Sequence, residues 1–118
     1  MPTYISLMRF TEQGIKAIKD HPKRRAAAAK TIAGLGGKLL HTHLTMGRYD
    51  IIAIIEAPDD ETAAKFALIT GSAGNVSTET LRAFSEVEYD RLIKSLPAAG
   101  RRAGSGGTGP ASPSPRPR

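Results

Sequence analysis

Short apolar runs and alternating apolar positions, separated by turns rich in Gly, Pro and Asp, predict four strands in this chain. Between them, apolar residues three and four positions apart predict helices, and Pro22, Gly36 and Asp59 stand where helices usually begin or end. Ser85 and Glu88 form a capping box before a last helical pattern. The predicted strands are 3–10, 39–46, 49–56 and 76–84, and the predicted helices are 12–19, 22–35, about 60–70, and 86–96.

The order of these elements is β-α-β-β-α-β followed by a terminal helix, which predicts an α+β domain of the ferredoxin-like kind. In that arrangement both crossover helices cover the same face of the sheet. The first and third strands carry apolar residues on both of their faces, so we expect both faces to be covered. A second copy of the chain is the simplest cover for the remaining face, which predicts a symmetric homodimer.

Net charge separates the domain from a C-terminal segment. The chain has 17 Lys and Arg against 11 Asp and Glu, a net charge of +6. Four of the arginines, at positions 101, 102, 116 and 118, lie in a segment made mostly of Ala, Gly, Ser and Pro, and the remaining 13 basic residues nearly balance the acidic ones. We therefore predict a domain over residues 1–96, a disordered tail over 97–118, and no nucleic-acid binding by the domain.

The chain contains no cysteine, which excludes disulfides, thiolate nucleophiles and cysteine-based zinc sites. The N-terminus lacks the basic and apolar regions of a secretory signal, and no apolar run approaches the roughly 20 residues of a membrane span. These features are compatible with a reducing compartment. We therefore predict a cytoplasmic protein that does not associate with membranes.

His41 and His43 are two residues apart in a predicted strand, so their side chains share one face of the sheet. Two imidazoles can ligate Zn, Cu, Fe or Ni, with a third ligand from Glu79 or from a partner chain. They can equally line a wet cavity or an edge strand, since two ligands alone do not define a metal site.

Four further polar residues are candidates for binding or catalysis. Asp50 can act as a general base and Tyr49 as a hydrogen-bond donor to an oxyanion, or both can be structural, with Asp50 accepting backbone N–H bonds in a turn. Arg9 and Arg82 lie inside strand patterns, where each can bind an anion, pair with a carboxylate or reach solvent at a strand end. The catalytic candidates are thus Tyr49, Asp50 and Arg82, and the ligand-binding candidates are Arg9, His41, His43 and Tyr49.

Several stretches together resemble the GYD-domain family: residues 44–50 (LTMGRYD), 56–60 (EAPDD), 74–84 (GNVSTETLRAF), the opening PTY and residues 11–14 (TEQG). The Gly-Tyr-Asp signature corresponds to Gly47, Tyr49 and Asp50, with Arg48 inserted. The resemblance covers residues 2–96 and implies a dimeric α+β barrel, in which two ferredoxin-like sheets face each other. Relatives by fold include small monooxygenases, haem proteins, isomerases and ligand-sensing domains, so the resemblance leaves the activity and any metal or haem cofactor open.

Three functions remain open at this point. The first is a homodimeric module that binds a small, partly apolar molecule between sheet and helices. The second is a small enzyme, which requires that His41, His43, Tyr49, Asp50 and Arg82 converge on one cavity. The third is a structural dimer with the basic tail as a tether.

Overall fold

The computed structural model describes residues 1–98, which fall into two units, Met1–Ser85 and a second unit that begins at Glu86. From residue 99 on, the predicted tail lies outside the described residues. None of the described helices is long and apolar enough to cross a membrane.

The first unit has the predicted order of strands and helices, and the mixed α+β fold is ferredoxin-like as expected. The predicted helix 12–19 is broken at Ala17, where the backbone leaves the helical conformation. A short α-helix and a 3₁₀ turn therefore replace it. The elements of the first unit are β1 (Thr3–Phe10), α1 (Glu12–Lys16), the 3₁₀ turn (Ile18–Asp20), α2 (His21–Gly34), β2 (Lys38–Leu44), β3 (Ile51–Glu56), α3 (Asp60–Ser72) and β4 (Val76–Ala83), and the second unit begins with α4 (Glu86–Lys94).

The four strands form one antiparallel sheet in the order β2-β3-β1-β4. The predicted hairpin joins β2 and β3, and a bulge at Leu40 interrupts its register. Because of this extra residue, Leu39 is paired with Ile55 while His41 is paired with Ile54. The bulge thus turns Leu39 and His41 to opposite faces of the sheet, although they are two residues apart.

The two faces of the sheet differ in burial. On the face packed by helices, which we call the covered face, the alternate residues of the central strands are buried: Tyr4, Ser6, Met8, Ile51, Ala53 and Ile55. On the other face, the open face, Ile5, Leu7, Ile52 and Ile54 are only partly buried. Within the described residues the helices pack on one face only, as the order of the elements predicts, and the cover of the open face by a second copy stays a prediction.

The covered face carries two clusters of buried side chains. Ile32 of α2 and Phe66 of α3 pack with Tyr4 and Ile55 in the larger cluster, and Ala57 and Ala63 complete it. Met8, Ile51, Ala53 and Val76 form the smaller cluster nearer the other end of β1. Leu39 packs against both clusters, so it joins the two parts of the core.

Local hydrogen bonds explain where the helices begin and end. Asp59 caps α3 by accepting the backbone N–H of Thr62 at 2.8 Å, as predicted. Asp20 holds the equivalent position before α2 but makes no capping hydrogen bond through its side chain. After α2, Gly36 adopts a φ of 90°, and its N–H donates to the carbonyl of Ala33 at 3.0 Å.

The terminal helix α4 differs from its prediction in the burial of its apolar residues. The sequence pattern predicts that four apolar residues of a helix over 86–96 pack inward, yet each is exposed by 45% or more: Tyr89, Leu92, Ile93 and Leu96. Periodicity predicts the amphipathic helix correctly, but it does not show whether a partner surface is present.

Candidate functional site

The open face has an apolar centre and a polar margin. Ile5 and Leu7 of β1 and Ile52 and Ile54 of β3 form the centre, because these residues alternate with the buried ones. Leu81 of β4, which is paired with Ile5, extends the apolar area and is 42% exposed. The margin consists of His41 and His43 on β2, and of Arg9, Ser77 and Glu79 on β1 and β4.

Three polar side chains meet at one end of the open face. The hydroxyl of Tyr49 donates a hydrogen bond to Oε1 of Glu79 at 2.7 Å. The guanidinium carbon of Arg9 lies 5.3 Å from the centre of the Tyr49 ring, and Nε of Arg9 donates to the carbonyl of Arg48 at 3.1 Å. The loop before β3 is therefore fastened to β1 and β4, and the Tyr49 proton already has an acceptor.

Asp50 has a structural role in this loop. Its Oδ2 accepts the backbone N–H of Phe10 at 2.9 Å, and its own N–H donates to the carbonyl of Met8 at 2.8 Å. The carboxylate thus accepts the last backbone N–H of β1, which is the structural alternative that the sequence left open. Gly47 contributes a left-handed turn with φ of 107°, a conformation that side chains disfavour.

Arg82 lies on the other face of the sheet. It is paired with Tyr4, and its guanidinium carbon is 5.8 Å from the ring centre of Tyr4 and 4.3 Å from that of Phe84. The structure therefore brings Arg9 and Tyr49 together but leaves Asp50 engaged in backbone bonds and Arg82 on the covered side. The five residues that the enzyme hypothesis requires do not converge on one cavity.

His41 and His43 share the open face at the edge strand β2, as predicted from their spacing. Their rings stack with centroids 6.2 Å apart and planes inclined by 22°. Glu79 stands three strands away on β4, roughly 14 Å by strand spacing, so it cannot join them as a third ligand within one chain. Among the described residues, no group of three or more His, Cys, Asp or Glu side chains is placed to hold a metal ion.

A cavity of about 210 Å³ lies on the covered face, between the sheet and helices α2 and α3. Its apolar wall is formed by the smaller core cluster together with Phe66 and Leu39. At the N-terminal end of α2 it is lined by His21, Arg24 and Arg25. None of these three residues stands out in the sequence as a candidate for binding.

His21 is the lining residue with a buried polar atom that lacks a partner among the described residues. Within residues 1–98, its Nδ1 is buried and has no hydrogen-bond partner, while its ring packs edge-on against Phe10 with centroids 5.8 Å apart. Burial lowers the pKa of the imidazole, and the nearby guanidinium groups of Arg24 and Arg25 lower it further. The only sequence signal was its position directly before Pro22 at the start of a helix.

Tyr4 is a second titratable group that no sequence pattern marks as special. It is buried in the larger core cluster, and its hydroxyl donates to Oδ1 of Asp60 at 2.5 Å. Burial and this carboxylate raise the pKa of Tyr4 to about 12. The bond ties the start of α3 to β1, so its role is structural.

Comparisons with known proteins place these features in a family. The chain is 31% identical over 95 residues to the glutamine synthetase and cystathionine beta-lyase binding protein of Thermus thermophilus, a match that covers 80% of this chain and all of that protein. The crystal structure of TTHA0845, also from Thermus thermophilus, matches with 26% identity and a TM-score of 0.48, covering 72% of this chain and 95% of that one. The family model of the GYD domain matches residues 4–93, which include Gly47, Tyr49 and Asp50. The resemblance drawn from the sequence is confirmed, and this chain belongs to the GYD-domain family.

Proposed function

We propose that this chain is a homodimeric binding protein, in which two copies pair through their open faces and the pair binds an enzyme. The observation that carries the pairing is the partly exposed apolar centre of the open face, formed by Ile5, Leu7, Ile52 and Ile54. A contiguous apolar area rimmed by polar residues is typical of an interaction surface.

A second copy is the proposed partner of this surface because two-fold symmetry brings identical patches together. Around a two-fold axis each patch meets its own equivalent, so the apolar centres pack against each other. Arg9 and Glu79 lie on the neighbouring strands β1 and β4, which gives the margin one charge of each sign. An opposed copy can therefore meet each charge with its opposite.

The enzyme partner is supported by the Thermus relative, whose name describes it as a binding protein for glutamine synthetase and cystathionine beta-lyase. The match covers the whole length of that relative and 80% of this chain. The scattered positions of the catalytic candidates also favour binding over catalysis, because proton transfer requires groups within hydrogen-bond reach of one substrate.

Pairing is tested by measuring the solution mass with light scattering and sedimentation. We expect the wild type to be a dimer and Ile54→Lys or Leu81→Lys to be a folded monomer, because each change places a charge in the apolar area of the open face. Leu68→Lys is the matched control, since Leu68 is 72% exposed on α3 and should leave the dimer intact. A monomeric wild type, or dimers that persist in both open-face variants, would contradict the pairing.

The partner is tested by biolayer interferometry with purified glutamine synthetase and cystathionine beta-lyase from the same organism, and with an unrelated enzyme as control. We expect saturable binding to at least one of the two and none to the control. Absence of binding to both would refute the enzyme partner and leave the dimer result untouched.

Binding of a small, partly apolar molecule is a second candidate function, and the cavity on the covered face favours it. The cavity lies within Met1–Ser85 of a single chain, so it does not depend on pairing. A protein that binds an enzyme and also a small molecule could report the level of that molecule to its partner.

A further inference from the structure

We propose that the cavity on the covered face binds a small apolar carboxylic acid, with its ring or alkyl part among the core residues and its carboxylate beside His21. This inference rests on the second candidate function and specifies the chemical class of the ligand.

The volume of the cavity sets the size of the ligand. A dry apolar cavity of about 150 Å³ in a protein core is large enough to bind benzene. The cavity found here measures about 210 Å³. A six-membered ring with one short substituent therefore fits, whereas nucleotides and haem are far too large.

The walls determine that most of the ligand is apolar. Met8, Ile51, Ala53 and Val76 close the cavity on the sheet side, and Phe66 closes it on the side of α3. All five are at least nine-tenths buried, so they form a floor that is already in place. An apolar group that enters this space removes its own surface from water, and it leaves no polar group without a hydrogen-bond partner.

The polar end of the cavity favours an acceptor group on the ligand. His21 lines the cavity, and within the described residues its buried Nδ1 lacks a hydrogen-bond partner. A buried polar atom without a partner costs free energy that a ligand can recover. Nδ1 is not accessible from the cavity in this conformation, so the ring has to turn before an imidazole N–H can donate to a carboxylate oxygen.

Charge distinguishes a carboxylate from a neutral or cationic group. Arg24 and Arg25 line the same end, and no Asp or Glu is among the described residues that line the cavity. Arg24 is held in place by hydrogen bonds from its guanidinium to the carbonyls of Ala17 at 2.9 Å and Gly14 at 3.3 Å. A positive potential in a partly desolvated site attracts an anion and repels a cation. Burial lowers the pKa of His21, and the guanidinium groups of Arg24 and Arg25 lower it further.

The test compares three probes that share one ring: benzoate, benzyl alcohol and benzylamine. Affinity is measured by ¹⁵N-detected NMR titration of the full chain, which also locates the binding site. We expect benzoate to bind at least about tenfold more tightly than benzyl alcohol, the factor that about 1.4 kcal/mol provides, and benzylamine not to bind. Amide shifts should centre on cavity residues such as Thr42 and Asn75.

Three variants assign the contacts. Ala53→Leu fills the cavity and should abolish binding of both benzoate and benzyl alcohol. Ala64→Leu, a matched change at an exposed position of α3, should bind as the wild type does. His21→Leu should remove the preference for benzoate, and His21→Asn, which retains a side-chain donor, should recover part of it.

The outcomes separate the two proposals. Equal affinity for benzoate and benzyl alcohol, with shifts in the cavity, would overturn the carboxylate assignment and keep small-molecule binding. Absence of binding by all three probes, or shifts confined to the β2–β3 hairpin, would overturn both.

Discussion

At the scale of single residues, the bond between Tyr4 and Asp60 has a consequence for stability at high pH. The pKa of Tyr4 is about 12 in the folded chain, above the ordinary value of 10, because burial and the Asp60 carboxylate disfavour the phenolate. The folded state therefore holds this proton more tightly than the unfolded state does. Its stabilising contribution is complete below pH 10 and is lost as the pH rises towards about 12.

The variant Tyr4→Phe should isolate this effect. We expect the free energy of unfolding of the wild type to fall more steeply above pH 10 than that of Tyr4→Phe, measured by urea denaturation across this range. At neutral pH the variant should lose about 1–2 kcal/mol with the hydrogen bond. Tyr89→Phe, at an exposed position of α4, is the control and should keep the steep fall. Parallel pH profiles for wild type and Tyr4→Phe would contradict the assignment.

The sequence predicts the role of a residue only where the local backbone conformation determines that role. The N–H acceptor role of Asp50 was among the alternatives, because Asp is common in turns that satisfy a neighbouring strand. The Tyr4–Asp60 bond joins residues 56 positions apart, and no local pattern predicts such a pair. The lack of a partner for Nδ1 of His21 within residues 1–98 likewise follows from packing around the ring and not from sequence spacing.

At the scale of elements, the junction of α1 with the start of β4 depends on close approach of two backbones. Thr11 N–H donates to the carbonyl of Asn75 at 3.0 Å, and Thr11 Oγ1 donates to the carbonyl of Gly74 at 2.6 Å. Gly14 lies directly beside this contact. A Cβ added to Gly14 would stand 1.9 Å from the Asn75 oxygen, so no larger residue fits without separating the elements.

A pair of glycine substitutions tests this junction. Gly14→Ala should destabilise the chain by about 3 kcal/mol, the upper part of the range for overpacked sites. Gly71→Ala, in α3, has no neighbouring atom within 4 Å of the added Cβ and should stabilise the chain by roughly 0.5–1 kcal/mol through helix propensity. Thermal and urea denaturation measure both. Similar effects of the two substitutions would show that α1 and β4 can move apart at little cost.

The bounds of the strands show which parts of the fold the sequence pattern predicts correctly. The prediction of β1 as residues 3–10 is confirmed, because alternation and β-branched residues extend over its full length. Strand β3 was predicted from residue 49 but begins at Ile51, and Tyr49 and Asp50 lie in the loop before it, where their side chains bond to Glu79 and to the N–H of Phe10. The bulge at Leu40 was not predicted, because its flanking residues give no sign of an extra position.

At the scale of the whole molecule, the two faces of the sheet give the chain two different surfaces. The open face follows from the order of strands and helices, and the sequence pattern predicts its apolar centre. The cavity could not be predicted, because its volume depends on how the side chains of α2 and α3 fill the space above the sheet. The proposed dimer therefore rests on the apolar pattern of the sequence, and the proposed ligand site rests on the packing of side chains above the sheet.

If the open faces pair, the melting temperature depends on protein concentration, because mass action stabilises a folded dimer against unfolded chains. A tenfold rise in concentration contributes about 1.4 kcal/mol per dimer, or about 0.7 kcal/mol per chain, which corresponds to roughly 3–5 °C in Tm for a domain of this size. We expect this rise for the wild type and for Leu68→Lys, and a constant Tm for Ile54→Lys. Benzoate, in contrast, should raise the Tm of all three, because the cavity lies within one chain. A wild-type Tm that does not change with concentration would argue against pairing, while a benzoate effect in the same experiment would keep the ligand site.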